Sequence, residues 1–446
     1  MKRLLIVSPH WLPFSAPDLQ RVRLSLPHYR AHGWDPVVLG VDPAACEGPL
    51  EPELLRTVPG DIPVHRCPAL PVSLTRPLGL GNLGWRCLPY LQAAGERLIR
   101  HENIDLVLFS TTQFVTLLAG RAWRRRTGVP YVVDLQDPWR TDDYERPGAP
   151  PPPGGRKYQF ARLVAWALEE RTFRDAAGFI SVSEDYLTTL RHRYAWMARR
   201  PSLCLPFGGS SADFTLARTL PSDTDPAFTR RPGEVHLLYT GSAGPILSGS
   251  VQRLFHAVKE FRALHPGDAA RLRLHFVGTQ YASAGTARAL VQPLADTFGI
   301  GDLVREVPHR IGYLASLRLQ QACDGLLLLG SQDPAYSPSK LVPYVLSGRP
   351  VLTLAPNPSR LYQRRLELGG DGTVGYATGD AVESTSASLH RFFAAALAGF
   401  PDPGRWMPSL TEVERRYGAA TQTERQCRWF DPLCPVAHAA PRNAQT

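Results

Sequence analysis

Short apolar runs rich in valine, isoleucine and leucine alternate along this chain with longer stretches in which apolar residues recur every three or four positions. Continuous apolar runs of this kind are what parallel strands need when crossover helices bury them on both faces, so the pattern predicts an α/β chain. In the first half the predicted strands are KRLLIVSP, DPVVLGVD, IDLVLFST, PYVVDLQD and AGFISVS. After Leu205 the text changes to PFGGSSADFTLARTLPSDTDPAFTRRPGE, which has no sustained period and reads as a linker. A second series of strands follows: VHLLYTGS, RLRLHFVGT, DLVREVP, DGLLLLG, RPVLTLA and GTVGYAT. Between its first two members Val251, Leu254, Phe255, Val258, Phe261 and Leu264 keep the spacing of one helical face, and that helix is expected to pack on the sheet.

The pattern therefore repeats an α/β domain. The expected organisation is a Rossmann-like domain over 1–205, a linker over 206–232 and a second Rossmann-like domain over 233–410. The segment 411–446 is read as a helix returning toward the first domain, followed by a tail. A length of 446 residues agrees, since it exceeds what one core usually supports, and 43% hydrophobic with 20% charged residues is an ordinary folded composition. No run approaches the roughly 20 apolar residues that span a bilayer. The start MKRLLIVSPHWLPF reaches Pro9 and His10 before a signal-peptide core can form, so a soluble, cytoplasmic protein is expected. The seven cysteines are scattered without a C-x-x-C pair, which argues for a reducing compartment and against a zinc site.

A net charge of +10 suits nucleic acid, an anionic membrane surface or a phosphorylated substrate. No nucleic-acid module is recognisable, so that partner is not expected. Arginines cluster at Arg121–Arg126 and at Arg191–Arg200, the second interleaved with Tyr194, Trp196 and Met197. Peripheral contact with the inner membrane surface is one reading of such a segment, and a solvated helix face is the other.

In open parallel sheets ligands bind beyond the carboxyl ends of the strands. The first such loop, HWLPFSAPD, leads into a helix that Asp18 is expected to cap, with Leu19, Val22, Leu26 and Tyr29 on its apolar face and a kink at Pro27. It contains no G-x-G-x-x-G, which removes the main support for a dinucleotide cofactor. Arg21 and Arg23 follow it and are placed to reach a phosphate, unless they are simply exposed helix arginines. Ser15, Arg21, Thr111 in FSTTQF and Trp139 in DLQDPWR are the acceptor-side candidates, the indole offering a sugar a stacking surface. Asp137 is the candidate catalytic carboxylate, a turn-forming Asp-Pro being the plainer alternative, and Asp134 within the strand is read as structural. In the second half Gly241, Ser242 and Gly278 let backbone approach a diphosphate. Ser337, Ser339 and Lys340 in AYSPSKLVPYVLSGRPVL open a helix where charge and free amides favour an anion.

On these residues the chain resembles the bacterial GT-B glycosyltransferases grouped as family 4. The likeness runs from QRVRLSLPHYRAHGWDPVVLG and VVDLQDPW through LEERTFRDAAGFISVSEDYLTTL and LPFGGSSADF to LLYTGS, LHFVGT and YSPSKLVPYVLSGRPVL. The resemblance implies two Rossmann-like domains facing each other across a cleft. It also implies transfer of a sugar from a nucleotide diphosphate donor in the second domain to an acceptor in the first, usually with retention and without a metal. No cofactor is implied beyond the nucleotide sugar. Gly241 and Ser242 would face the diphosphate, and Ser337, Ser339 and Lys340, one of the two expected catalytic residues with Asp137, would line the donor site. The family's paired glutamates fall on Ala335 and Pro343, leaving Asp333 and Tyr336 as the nearest substitutes, and no basic residue precedes Arg253 after the first donor strand. The leading expectation is a hexosyltransferase acting on a glycan, lipid-linked or small-molecule acceptor in surface polysaccharide or glycoconjugate synthesis. The alternative is a catalytically silent GT-B scaffold or nucleotide-binding partner of another glycosyltransferase.

Overall fold

The structure is a computed structural model that describes residues 1–141, 155–220, 230–280, 285–333 and 336–434. These residues form two compact units. Unit 1 takes in Met1–Glu47, the described part of Val58–Leu205 and the described residues from Gln422 on, and unit 2 takes in Gly48–Thr57 and the described part of Pro206–Thr421.

Unit 1 is built on a parallel sheet of β1 (Lys2–Val7), β2 (Trp34–Val41), β3 (Val64–Cys67), β4 (Leu106–Ser110), β5 (Tyr131–Leu135), β6 (Gly178–Ser181) and β7 (Ser202–Cys204). The order is β3-β2-β1-β4-β5-β6-β7. The central strands β4, β5 and β6 are buried along their whole length, as strands covered on both faces must be. Helices Leu83–His101 and Leu117–Thr127 cover one face and meet closely at a glycine. A Cβ on Gly95 would stand 2.1 Å from the Trp123 ring, whose indole nitrogen donates to the Gln92 carbonyl at 2.9 Å. The apolar pattern did not predict β3 and β7, which are short edge strands with little buried surface to advertise them.

The helix after the first loop differs from expectation. It runs only from Gln20 to Ser25 and stops before Pro27 rather than kinking there, because proline has no N–H to continue the ladder. Asp18 does not cap it, since Asp18 lies inside the preceding short 3-10 turn Pro17–Leu19.

Unit 2 repeats the plan with β8 (Val235–Thr240), β9 (Leu272–Val277), β10 (Val304–Val307), β11 (Gly325–Leu329), β12 (Val351–Pro356) and β13 (Thr373–Tyr376) in the order β10-β9-β8-β11-β12-β13. The amphipathic helix Ser248–Leu264 buries Val251, Leu254, Phe255, Val258 and Phe261 on this sheet, while Leu264 faces solvent at its end. The stretch read as linker holds a helix, Ser211–Arg218, capped by the Ser210 hydroxyl and anchored by Phe214 and Ala217, and residues 221–229 lie outside the described residues. The tail forms two helices, Leu410–Tyr417 and Ala419–Phe430. In unit 1 the second of these places Phe430 edge-on to Trp34 at 5.5 Å, and its Gln426 accepts a hydrogen bond from the Tyr29 hydroxyl at 2.6 Å.

The excursion Gly48–Thr57 belongs to unit 2 by its contacts. The buried Glu51 carboxylate there accepts the Tyr313 and Leu314 amides, each at 2.8 Å, and so caps the helix Tyr313–Ala322. In both sheets the strand order reverses direction beside the first strand, at β1/β4 and at β8/β11. Crevices at such switch points, beyond the carboxyl ends of the strands, are where doubly wound sheets bind ligands.

Candidate functional site

At the β1/β4 switch the loop after β1 supplies His10 and Asp18, and the loop after β4 supplies Thr111 and Thr112. Asp18 is almost wholly buried, so its carboxylate requires donors. It receives the Thr111 hydroxyl, the Thr112 amide and the Thr112 hydroxyl, each at 3.1 Å, and it meets His10 Nδ1 at 3.1 and 3.2 Å. Burial opposes its charge, but the His10 side chain and the Thr112 donors outweigh that cost and hold its pKa below the ordinary value. His10 stacks on Phe14 at 5.1 Å, and among the described residues its Nε2 carries no protein hydrogen bond. An imidazole oriented by a buried carboxylate, with its other nitrogen open, is an acid/base unit. Sequence reasoning missed it by reading Asp18 as a helix cap; His10 and Asp18 in a single post-strand loop were the available signal.

Beneath this pair lies a buried ionic layer that corrects the expectation for Arg21. Arg21 Nε stands 2.8 Å from Asp134 Oδ2, and Arg21 Nη2 donates to the Leu205 carbonyl at 2.8 Å. Asp134 also accepts from the Ser110 hydroxyl at 2.7 Å, and the Gln136 amide donates to the Asp18 carbonyl at 2.8 Å. Arg21 therefore neutralises a core carboxylate rather than reaching for phosphate. Arg23 is buried and donates to the Gln20 side chain at 2.8 Å, so it is not an exposed helix arginine. Ser15 and Thr111 are likewise buried, and the Thr111 hydroxyl serves Asp18.

Asp137 has an accessible side chain at the end of β5. Desolvation by the surrounding chain, reinforced by the negative charge of Asp18, raises its pKa to about 6. Trp139 stacks on Phe114 at 5.5 Å and lines a cavity of about 650 Å³ that Thr112 also borders.

In unit 2 the strands β8 and β9 end in Gly241 at φ +102° and Gly278 at φ +74°, conformations that L side chains rarely adopt. Space matters as much as angle at the first of these: a Cβ on Gly241 would lie 2.5 Å from Lys340 Cε and 3.1 Å from its amine. Lys340 precedes the short helix Leu341–Leu346, which the Tyr344 hydroxyl ties to β8 by accepting the Thr240 amide at 2.7 Å. The Lys340 amine donates to the Tyr239 hydroxyl at 2.7 Å, and that hydroxyl donates to the Ser242 carbonyl at 2.5 Å. Among the described residues no carboxylate pairs with Lys340, and desolvation pushes its pKa down to about 7.

The structure thus gathers Gly241, Ser242, Gly278 and Lys340 and adds Tyr239, which its buried position in a strand disguised as core. Ser337 is held by a hydrogen bond from Arg364, and Ser339 is exposed in the turn before Lys340. Asp333 and Tyr336 close a turn through the Tyr336 amide at 3.1 Å, with the Tyr336 ring against the core of unit 2. Pro343 sits within the short helix, and Ala335 lies outside the described residues. Arg253, the first basic residue after β8, donates to the Asp380 and Ala381 carbonyls, each at 2.6 Å. No cluster of metal-binding side chains occurs among the described residues, and no described helix is long and apolar enough to cross a membrane. In the arginine-rich segment Arg191 pairs with Glu184 at 2.7 Å, Arg193 with Glu169 at 2.8 Å, and Met197 is buried.

Residues 20–202 match the family model described as a glycosyl transferase 4-like domain. No curated protein matches the chain in sequence. Among solved structures the chain is similar to HepE of Anabaena in complex with UDP-glucose, at 15% identity over 97% of this chain and 100% of that one, with a TM-score of 0.58. It is also similar to a UDP-forming α,α-trehalose-phosphate synthase from Burkholderia xenovorans, at 12% identity over 97% and 98% of the two chains, with a TM-score of 0.53. These likenesses establish the fold: two Rossmann-like domains of the GT-B architecture.

Proposed function

We propose that this chain, a GT-B protein with a glycosyl transferase 4-like domain over residues 20–202, transfers a sugar from a nucleotide diphosphate donor held in unit 2 to a hydroxyl acceptor held in unit 1. Its place would be surface polysaccharide or glycoconjugate synthesis on the cytoplasmic side of the membrane. One observation carries the reading. Lys340 holds an amine over the Gly241 turn without a carboxylate partner among the described residues, desolvated enough to lose much of its charge near neutrality. A buried amine in that condition gains from an arriving anion, which supplies the missing counter-charge at the mouth of a switch-point crevice. That two structures of this fold were solved with UDP-glucose and UDP-2-fluoro glucose makes uridine the first base to try.

In the reaction the acceptor oxygen bonds to the anomeric carbon as the bond from that carbon to the diphosphate oxygen breaks. Lys340 and the Gly241 and Gly278 turns would offset the charge that develops on the diphosphate. Asp137 and the Asp18-oriented His10 would position the acceptor hydroxyl and receive its proton. Retention of configuration and independence from a metal follow from the family resemblance and complete the proposal.

The test is thermal-shift screening against nucleoside diphosphates and nucleotide sugars, because a ligand bound only by the folded state raises the melting temperature. A shift confined to one nucleotide class and lost in Lys340→Ala supports the enzyme. Silence across the panel overturns it in favour of the silent scaffold, the reading that Pro343 favours by standing where the resemblance implies a donor-binding glutamate.

A further inference from the structure

We propose that Lys340 is a self-acylation site: the turn after β8 recruits the phosphate of an acyl phosphate, and the Lys340 amine takes its acyl group. The proposal uses the anion site of unit 2 and does not depend on a sugar being transferred.

Composition makes Lys340 an exception. The chain carries 46 arginines and four lysines, Lys2, Lys157, Lys259 and Lys340. Positive charge is thus supplied almost everywhere by a guanidinium, which keeps its proton in proteins, whereas an amine can release its proton and act as a nucleophile. Lys2 spends its amine on Asp431 at 2.9 Å on the surface, and Lys259 is exposed. Lys340 stands half-buried over Gly241, where a guanidinium would hold an anion at least as well. What an amine adds at that position is the capacity to attack.

The surroundings prepare it. The Tyr239 hydroxyl gives its own proton to the Ser242 carbonyl at 2.5 Å, so toward Lys340 it acts as the acceptor, at 2.7 Å. Among the described residues that hydroxyl is the amine's one hydrogen-bond partner. Gly241 brings no side chain over the amine, from which a Cβ would lie only 3.1 Å. Desolvation pushes the amine's pKa down to about 7, so about half of it is neutral at pH 7, against fewer than about one in a thousand for an ordinary lysine. A weaker base is a weaker nucleophile, which cancels only part of that advantage.

The same turn offers donors to a phosphate. Gly241 and Ala243 commit their amides to the Val277 and Thr279 carbonyls, at 2.7 and 3.1 Å. The amides of Ser242 and Gly244, which alternate with them, donate to no group among the described residues. Open amides on a glycine turn form an anion-binding concavity. An arriving phosphate favours the ammonium form of Lys340, and two amides that share its charge lessen that effect. In the reaction the amine nitrogen bonds to the acyl carbon as the bond from that carbon to the phosphate oxygen breaks. Inorganic phosphate leaves with the electron pair and with the proton that the amine gives up. A neutral amide then stands where the cation stood, and the turn has lost the charge that an anionic ligand needs.

Full-length protein is incubated with acetyl phosphate at pH 7, and acetylation is read peptide by peptide by mass spectrometry, with Lys2 and Lys259 as internal references. Lys340 is expected to react at least about tenfold faster than Lys259 and to reach its full rate by about pH 8, where an ordinary lysine still gains. Inorganic phosphate is expected to slow Lys340 and spare the references. Acetic anhydride, which has no phosphate for the turn to hold, is expected to show a smaller preference for Lys340. A rate no greater than that of Lys259, a preference as large with acetic anhydride, or indifference to inorganic phosphate overturns the proposal. A nucleotide-sugar panel run alongside separates it from the function. If a nucleotide sugar raises the melting temperature but acetylation does not favour Lys340, the enzyme reading stands and this one falls. If inorganic phosphate protects Lys340 and no nucleotide sugar does, this one stands and the donor reading falls.

Discussion

The Lys340 amine donates a hydrogen bond to the Tyr239 hydroxyl at 2.7 Å while lying 4.5 Å from the centre of the same ring. The ring and hydroxyl soften the amine's desolvation without neutralising it, so Lys340 has a pKa of about 7 in the folded chain against an ordinary value of 10.5. Between these values the unfolded chain binds the extra proton, and stability therefore rises with pH. Lys340→Met removes that cost. The variant is expected to gain on the order of 2 kcal/mol at pH 6 and progressively less toward pH 10, while losing nucleotide affinity by at least about tenfold. Denaturant melts across pH, beside a nucleotide titration, check both halves; a variant destabilised at pH 6 contradicts the first.

Asp137 shifts in the opposite sense. Desolvation and the charge of Asp18 raise its pKa to about 6, so between roughly pH 4 and 6 the folded state holds a proton that the unfolded state has lost. Stability then falls as pH rises through that window. Asp137→Asn is expected to melt above the parent at pH 8 and level with it at pH 4. A parallel pair of melting curves at the two pH values would remove the shift from consideration.

Asp18 should behave as a structural anion. Its folded pKa lies below the ordinary value, so its contribution is present above the unfolded carboxylate pKa and is lost as pH falls through the folded one. Asp18→Asn keeps the size but gives the Thr112 amide, the Thr111 hydroxyl and His10 a poorer acceptor. It is expected to cost about 2–4 kcal/mol at pH 7 in urea melts, with the gap closing below about pH 3.

Arg21→Met would leave Asp134 charged, fully buried and without its guanidinium partner. Breaking a buried pair from one side costs about 3–5 kcal/mol, and the double variant Arg21→Met with Asp134→Leu should recover much of it. If the single variant is as stable as the parent, the pair carries no structural role.

Inner strands such as β4 and β11 were legible because they are apolar along their length, as burial on two faces demands. The edge strands β3 and β7 were not, since an edge strand buries too little to shape its composition. Lys340 stood out as a charge among serines ahead of an apolar helix, whereas Tyr239 carries the same spelling whether its hydroxyl serves a lysine or merely fills the core. Asp18 misled for a related reason. An aspartate before a periodic apolar segment reads as a cap, and nothing nearby in the chain announces that its donors come from a loop 93 residues further on.

Unit 1 contains both the first residues of the chain and those from Gln422 on, which sets an order in time. During synthesis its sheet emerges early, yet Trp34 and Tyr29 wait for Phe430 and Gln426, which follow every strand of unit 2 in the chain. Unit 2, begun later, has all its strands before then. The domain that is made first is therefore the one completed last, and a transcript that stops short of Gln422 spoils the beginning of the protein rather than its end.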